Sequence, residues 1–222
     1  MPAAPTIVFA GGDPGSFTFL RTVDYKGAYL AAVDRGLSVA VTLGLVPDLF
    51  VGDGDSVAPE LLATLDRDRT AVIMLPARKD ISDLEATFDQ LVASGRAGGV
   101  LVLAGLGGRL DHTLFNLQLA ARHLDDFGLV TFEDDQCLVR PLIHHNEFQL
   151  PRGTTVSFVP DSAKVEVSLE GFAYPLVHAI VEQGSTQLLS NVVRESMQCV
   201  DVHRGTVFMI AWKHEVELSH VR

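Results

Sequence analysis

Long apolar runs are absent from this 222-residue chain. No stretch approaches the ~20 consecutive apolar residues that a membrane span needs, which excludes a helical membrane protein. The opening Met1-Pro2-Ala3-Ala4-Pro5 carries no basic segment of the secretory type, so the expected compartment is the cytoplasm. Cysteine is scarce. Cys137 and Cys199 have neither the number nor the spacing of a disulfide framework or a zinc site and read as buried free thiols. Positive charge is scarce too: 17 Lys and Arg stand against 28 Asp and Glu, for a net charge of −11. With no basic stripe to neutralise phosphates, a nucleic-acid partner is excluded. A nucleotide is not, because a metal ion and a few placed cations set the local potential whatever the global sum. Repeats, low-complexity segments and Gly/Ser linkers are also missing.

What remains is a 47% hydrophobic sequence, long enough to fold as one large domain or two modest ones. Thr6 to Ala10 reads as a first strand stopped at Gly11-Gly12-Asp13-Pro14-Gly15, and the alanine-rich stretch Val23 to Val33 reads as helix. Apolar runs at Ser38 to Leu43, Leu49 to Val51, Thr70 to Leu75 and Val100 to Ala104 alternate with helical patterns at Ser82 to Ser94 and Asp111 to Leu124. Such alternation predicts a mostly parallel α/β sheet. In the first of those helical patterns Leu84, Phe88, Leu91 and Val92 recur at helical spacing and are expected to face the sheet, with Ser82 or Asp83 as the cap. Beyond about Leu138 short β-branched runs at residues 154–159, 164–169, 179–181 and 206–212 predict antiparallel β structure; Val165, Val167 and Leu169 should be buried, and Lys164, Glu166 and Ser168 wet. The expected fold is α/β plus all-β: a nucleotide-binding domain over residues 1–140, then a β-sandwich-like domain over 141–222.

Chemistry concentrates in three runs: Gly52-Asp53-Gly54-Asp55-Ser56, Lys79-Asp80-Ile81-Ser82-Asp83, and the glycine-rich stretch from Leu103 to His112. Clustered carboxylates repel one another, so several on neighbouring loops imply a shared divalent cation, and hard oxygen donors suit Mg²⁺. Asp53 and Asp55 are the first candidates as ligands, since alternate residues of an extended backbone point the same way; a solvated Asp-Gly turn is the competing reading. Gly107 and Gly108 offer unobstructed N–H groups to phosphate oxygens, and Arg109 adds a fork of donors, or instead pairs with Asp111 to orient the loop. His112 and Asn116 are four apart on one helical face, in the site or filling a polar pocket. Every motif follows an expected strand, and in open α/β sheets ligands collect at the carboxyl ends of the strands. The pair His144-His145 is assigned to the surface or the domain boundary, since neighbours on a strand face opposite ways and no Cys or carboxylate stands at ligand spacing.

These runs resemble the thiamine pyrophosphokinase family, whose pattern reads Pro-Asp, Gly-Asp-Phe-Asp-Ser, Lys-Asp-x-Thr-Asp and Leu-Gly-Gly-Arg-x-Asp-His with an Asn four residues on. Pro47-Asp48 and Asn116 complete the match, and Gly171 to Leu176 with Leu189-Ser190-Asn191 is similar to the family's second-domain signature. The resemblance implies transfer of the pyrophosphoryl group of ATP to the hydroxyethyl oxygen of thiamine. It implies Asp83 as third metal ligand beside Asp53 and Asp55, with Asp80 and Lys79 in the same polar network, Ser190 and Asn191 at thiamine, and a homodimer. Asp80 or Asp111 is the candidate to orient or deprotonate the hydroxyl; Tyr174 or Trp212 is a candidate to stack on a cationic ring. The chain departs from the pattern at Gly54, where an aromatic residue is usual, and around Asp34-Arg35-Gly36. A pyrophosphokinase acting on a pterin-like alcohol and a silent nucleotide- or thiamine-binding regulator are the alternatives.

Overall fold

The computed structural model describes residues 5–63, 65–96 and 98–213, so Met1 to Ala4 of the segment read for a leader lie outside the described residues. The chain divides into two units, 1–135 and 136–222, a few residues ahead of the expected boundary at 140.

The first unit runs β1 (Thr6–Phe9), α1 (Phe17–Leu20), β2 (Tyr29–Val33), α2 (Gly36–Thr42), β3 (Leu49–Gly52), α3 (Pro59–Ala63), β4 (Ala71–Met74), α4 (Asp83–Ala93), β5 (Val100–Leu103), α5 (Leu110–Arg122), α6 (Leu124–Phe127) and β6 (Val130–Glu133). Its strands lie in the order β6-β5-β1-β2-β3-β4, and each neighbouring pair is parallel. Phe9 stands level with Ala32 and Leu103, and Gly52 with Met74. The carboxyl ends are therefore nearly in line. Central strands covered on both faces read as unbroken apolar runs, which is why Val8, Phe9, Ala31, Ala32, Phe50 and Val51 are all fully buried.

Two expectations here are corrected. Val23 to Val33 is not helical: its second half is β2, paired with β1 and β3, and its small buried alanines fill a sheet interior. Ser38 to Leu43 is not a strand but lies in α2 and its C-cap. A short apolar run looks the same in a buried helix and a buried strand, and only the neighbours it packs against decide. In α4, Ser82 is the cap, its Oγ accepting from the Glu85 N–H. Leu84, Phe88 and Leu91 are buried, but Val92 stays exposed because it falls off the sheet-facing stripe.

The Pro47-Asp48 pair ties strands together. Asp48 Oδ2 accepts from the Leu30 N–H at 2.8 Å, and the buried Thr70 hydroxyl donates to the Pro47 carbonyl at 2.7 Å, which fixes β2, β3 and β4 at their entry ends.

The second unit is antiparallel: β7 (Cys137–Phe148), β8 (Thr155–Pro160), β9 (Lys164–Glu170), β10 (Leu176–Glu182), β11 (Asn191–Val192) and β12 (Gln198–Trp212). Strand β12 pairs with β7 along most of its length; its first half also pairs with β9 and its second half with β8, with a register shift between Val202 and Val207. Two arms, β9-β10 and β8-β11, thus share the β7-β12 pair. They enclose one core that includes Leu142, Phe158, Val167, Phe172, Val200 and Met209. Val165, Val167 and Leu169 face that core as expected. Ser168, expected to be wet, is buried, and its hydroxyl accepts from the His178 N–H and bonds His203 Nε2. Among the described residues no helix is long and apolar enough to cross a membrane.

Candidate active site

The chain leaves β1, builds β2 to β4 outward on one side, then returns to β5 on the other side of β1. The loops after β1 and β5 consequently part in opposite directions, and such a switch point is where an open α/β sheet has room for a ligand. A cleft of about 860 Å³ opens there, lined by Gly11 to Pro14 after β1, Asp34 and Arg35 after β2, Ser82 and Asp83 at the start of α4, and the loop from Gly105 to Arg109 after β5.

Glycine is needed where two of these loops meet. The Gly12 N–H donates to the Ala104 carbonyl at 3.0 Å, and a Cβ on Gly12 would stand 2.6 Å from that oxygen. Backbone amides can line the floor only because nothing larger separates the loops. Asn116, on α5, braces the same loop by donating from Nδ2 to the Gly105 carbonyl at 3.0 Å. His112 also lines the cleft, from the exposed side of α5.

The acidic half gathers three carboxylates from three elements. Lys79 Nζ lies 3.0 Å from Asp83 Oδ1 and 3.6 Å from Asp53 Oδ2, all three side chains largely buried. Asp34, directly after β2, sits beside Asp83 within hydrogen-bonding reach and over Gly52. Burial, then the charges of Asp83 and Asp53, push the Asp34 carboxyl up to about 7. Asp53 is shifted the other way, first because its carboxylate accepts from the Asp55 N–H and also because Lys79 is close. Burial pulls the Lys79 ammonium down, but Asp83, Asp53 and Asp34 outweigh it and leave its affinity for the proton raised. One lysine does not saturate this cluster: Asp34 Oδ1 is buried with no hydrogen-bond partner, and Asp83 Oδ1, equally buried, has only the Lys79 ammonium beside it. Unpaired buried carboxylate oxygens are costly unless charge comes to them. The donor set is all oxygen and fits a hard divalent cation such as Mg²⁺. Asp83 also occupies the first turn of α4, where the helix dipole favours a carboxylate.

The geometry around several expected site residues differs from the one anticipated. Asp53 and Asp55 do not project together from an extended strand, because the backbone turns at Gly54, whose φ is +77°. Asp55 is exposed and its carboxylate accepts from its neighbour Ser56, so that Asp55 meets Asp53 through its backbone N–H, while Asp34 is the acid beside Asp83. The usual aromatic residue would be strained in that left-handed turn, with its Cβ 3.0 Å from Met74 Cε. Asp80 is exposed on the loop beside Lys79. Arg109 holds Asp111 through Nε and Nη2, a bidentate pair that keeps the Asp111 carboxyl down at about 2 and makes it a poor base. Asp34 was missed as a site residue because β2 was read as helix, so the acid was not recognised at a strand end. In the second unit, buried Asn191 is fully engaged: Oδ1 accepts from the Tyr174 and Val192 N–H groups, and Nδ2 donates to the Tyr174 carbonyl. Ser190 is exposed at φ +57° and its N–H donates to Ser157 Oγ. The ring of Tyr174 stands free in solvent, and Trp212 at the end of β12 is exposed on one side.

Comparison with known proteins accounts for both units. Residues 22–129 match the family described as thiamin pyrophosphokinase, catalytic domain, and residues 143–207 match thiamin pyrophosphokinase, vitamin B1 binding domain. The chain belongs to the thiamine pyrophosphokinase family. Thiamine pyrophosphokinase of Bacillus subtilis is 26% identical over 208 residues, covering 91% of this chain and 96% of that one. The crystal structure of thiamin pyrophosphokinase from Geobacillus thermodenitrificans superposes with a TM-score of 0.82 at 27% identity, covering 96% of this chain and 99% of that one. The Candida albicans thiamin pyrophosphokinase, 13% identical, shares the fold with a TM-score of 0.78 over 95% of this chain and 89% of its own. Asp53, Asp83 and the glycine loop thus fall inside the segment that matches the family's catalytic domain, and Ser190 and Asn191 inside the one that matches its vitamin-binding domain.

Proposed function

We propose that this protein is a thiamine pyrophosphokinase that transfers the pyrophosphoryl group of ATP to thiamine, giving thiamine diphosphate and AMP. The observation that carries the reading is the pairing, in one cleft, of an undersaturated carboxylate cluster with a glycine floor at the switch point of the sheet. In the reaction the hydroxyethyl oxygen of thiamine attacks the β-phosphorus, the bond from that phosphorus to the oxygen bridging to the α-phosphate breaks, AMP leaves with that oxygen, and the hydroxyl proton is lost. Positioning and charge stabilisation suffice for such a transfer without a covalent intermediate.

Asp34, Asp53 and Asp83 would hold Mg²⁺, with Asp55 available from the adjoining turn. When bound, the ion supplies positive charge to phosphate oxygens where negative charge develops. Lys79 stays with the carboxylates and offers its ammonium to the same phosphates. The N–H groups of Gly107 and Gly108 cradle phosphate oxygens, His112 stands at the cleft wall, and Asn116 keeps the loop in place. Arg109 turns its remaining donors to phosphate while Asp111 orients it. Asp80 is the proposed acceptor for the thiamine hydroxyl, since Asp111 is a weak base.

Residues 136–222 are proposed as a β-sandwich-like thiamine-binding domain. Asn191 positions the Tyr174 loop rather than touching the vitamin, Ser190 contributes its hydroxyl, and the exposed Tyr174 ring takes the cationic heterocycle. A homodimer is supported by exposed apolar side chains, Leu110 and Phe115 on α5 and Val177 and Ile180 on β10. The cytoplasm is the proposed location. Chromatographic analysis of the products from purified protein, ATP, Mg²⁺ and thiamine tests the function. Equal AMP and thiamine diphosphate are expected; AMP only with a pterin-like alcohol, or binding without turnover, would overturn it.

A further inference from the structure

We propose that His145, Cys199 and Asp201 bind one divalent transition-metal ion of the Zn²⁺ or Co²⁺ type, using residues that the acidic cleft does not use. The sequence places His145 more than fifty positions from Cys199 and Asp201, and its assignment to the surface or domain boundary rested in part on finding no Cys or carboxylate at ligand spacing. Antiparallel pairing removes the separation. Asp201 on β12 stands opposite His145 on β7, and Cys199 stands opposite Glu147. Since alternate residues of a strand share a face, all four side chains lie on one side of the β7-β12 pair.

The donor atoms have the spacing a small cation needs. Cys199 Sγ is 3.7 Å from His145 Nδ1 and 3.6 Å from Asp201 Oδ2, and one donor atom from each residue lies within 4.8 Å of the others. Tetrahedral coordination with bonds of about 2.0 to 2.3 Å sets its donors about 3.3 to 3.8 Å apart. Only the 2.6 Å contact between His145 Nδ1 and Asp201 Oδ1 must open, by about 0.7 Å, as the cation replaces the shared proton.

Glu147 stands on the other side of the His145 ring. Its Oε1 lies 3.4 Å from His145 Nε2 and can hold that N–H, leaving the Nδ1 lone pair for metal, the arrangement usual behind a ligating histidine. A neutral imidazole, a thiolate and a carboxylate together carry two negative charges and neutralise a dication, with the thiol proton released to solvent on binding. Mixed nitrogen, sulfur and oxygen donors favour Zn²⁺ or Co²⁺ over Mg²⁺. Glu170 on β9, opposite Cys199, or water completes the shell. His145 is exposed and Cys199 and Asp201 are half-buried, so an ion can enter from solvent. Bound there, it would clamp the two longest strands of the unit just ahead of their register shift.

The test is titration of the metal-free full-length protein with Co²⁺ in excess Mg²⁺, followed through the thiolate-to-Co²⁺ charge-transfer absorption. One equivalent is expected to develop the band. Cys199→Ser should abolish it, Asp201→Asn and His145→Gln should weaken binding at least about tenfold, and Cys137→Ser should leave it intact. Zn²⁺ should displace Co²⁺ and, at about 100-fold excess over its Kd, raise the Tm of the wild type by about 5 °C but not that of Cys199→Ser. Absence of the band, its survival in Cys199→Ser, or an equal Zn²⁺ shift in both proteins would overturn the proposal. Circular dichroism confirms that each variant is folded; His145→Gln, which leaves the thiol in place, decides the matter if Cys199→Ser is not.

Discussion

Replacing Asp34 by Asn is expected to stabilise the protein without divalent cations and to destabilise it relative to the wild type with them. The Asp34 carboxyl is pushed from 3.8 to about 7 by burial and by Asp83 and Asp53. At ~1.36 kcal/mol per pH unit this is worth ~4 kcal/mol, and because the side chain is only half-buried, solvent screening reduces it to about 2 kcal/mol. The folded state holds this proton more tightly than the unfolded chain does. Stability from that source is therefore fully present below about pH 4, is lost as pH rises toward 7, and is flat beyond. An amide at position 34 does not ionise and still offers an N–H to Asp83. In EDTA at pH 8, Asp34→Asn should melt about 4 to 8 °C above the wild type; at pH 4 the two should coincide. Adding Mg²⁺ at pH 8 should raise the Tm of the wild type more than that of the variant, because only the ionised acid contributes a ligand charge. Thermal melts by circular dichroism across pH 4 to 8, with EDTA or Mg²⁺, measure this directly. Parallel pH profiles for the two proteins, or equal Mg²⁺ shifts, would refute the idea that Asp34 belongs to an undersaturated cation site.

Three further outcomes separate the roles of individual residues. Asp53→Asn should lower kcat/KM at least about 100-fold, and Asp55→Asn less, because Asp53 shares Lys79 with Asp83 whereas Asp55 is held in the adjoining turn; steady-state kinetics on folded variants would contradict this if the order reversed. Asn191→Ala leaves the part-buried backbone groups of Tyr174 without their side-chain partner and should cost about 1 kcal/mol by denaturant unfolding, with a raised KM for thiamine and little change in that for ATP. Gly12→Ala drives a Cβ against the Ala104 carbonyl; the loop must shift, so the KM for ATP should rise at least about tenfold while far-ultraviolet circular dichroism stays unchanged.

The parallel α/β character of the first unit was legible because its strands are short apolar runs followed by glycine or aspartate turns, and the antiparallel character of the second because Lys164 to Leu169 alternates. Leu84, Phe88 and Leu91 likewise announced α4 and its buried face. Where local pattern was ambiguous it misled: the alanines of β2 looked helical, the valines of α2 looked extended, and β6 went unread. Ser168 looked wet by alternation, yet a neighbouring strand brought His178 and His203 to its hydroxyl. Asp34 was concealed by the error in β2, since an acid gains meaning at the carboxyl end of a parallel strand only once that strand is known.

By itself the sequence determined which residue types were available and in what local order: acids after Gly52 and around Lys79, glycines before Arg109, and no long apolar run or basic stripe. Those features are local, written in spacing and side-chain chemistry. Tertiary structure alone decided which of them meet. Packing of α4 on β2 and β3 set Asp34 beside Asp83, the turn at Gly54 kept Asp55 apart, a bidentate contact tied Asp111 to Arg109, and the Tyr174 backbone took up the polar atoms of Asn191. Antiparallel pairing set Cys199 and Asp201 against His145. The reason is that strand pairing joins residues tens of positions apart through backbone hydrogen bonds, whose register depends on the whole buried face of each strand and not on the few residues that come to share a site.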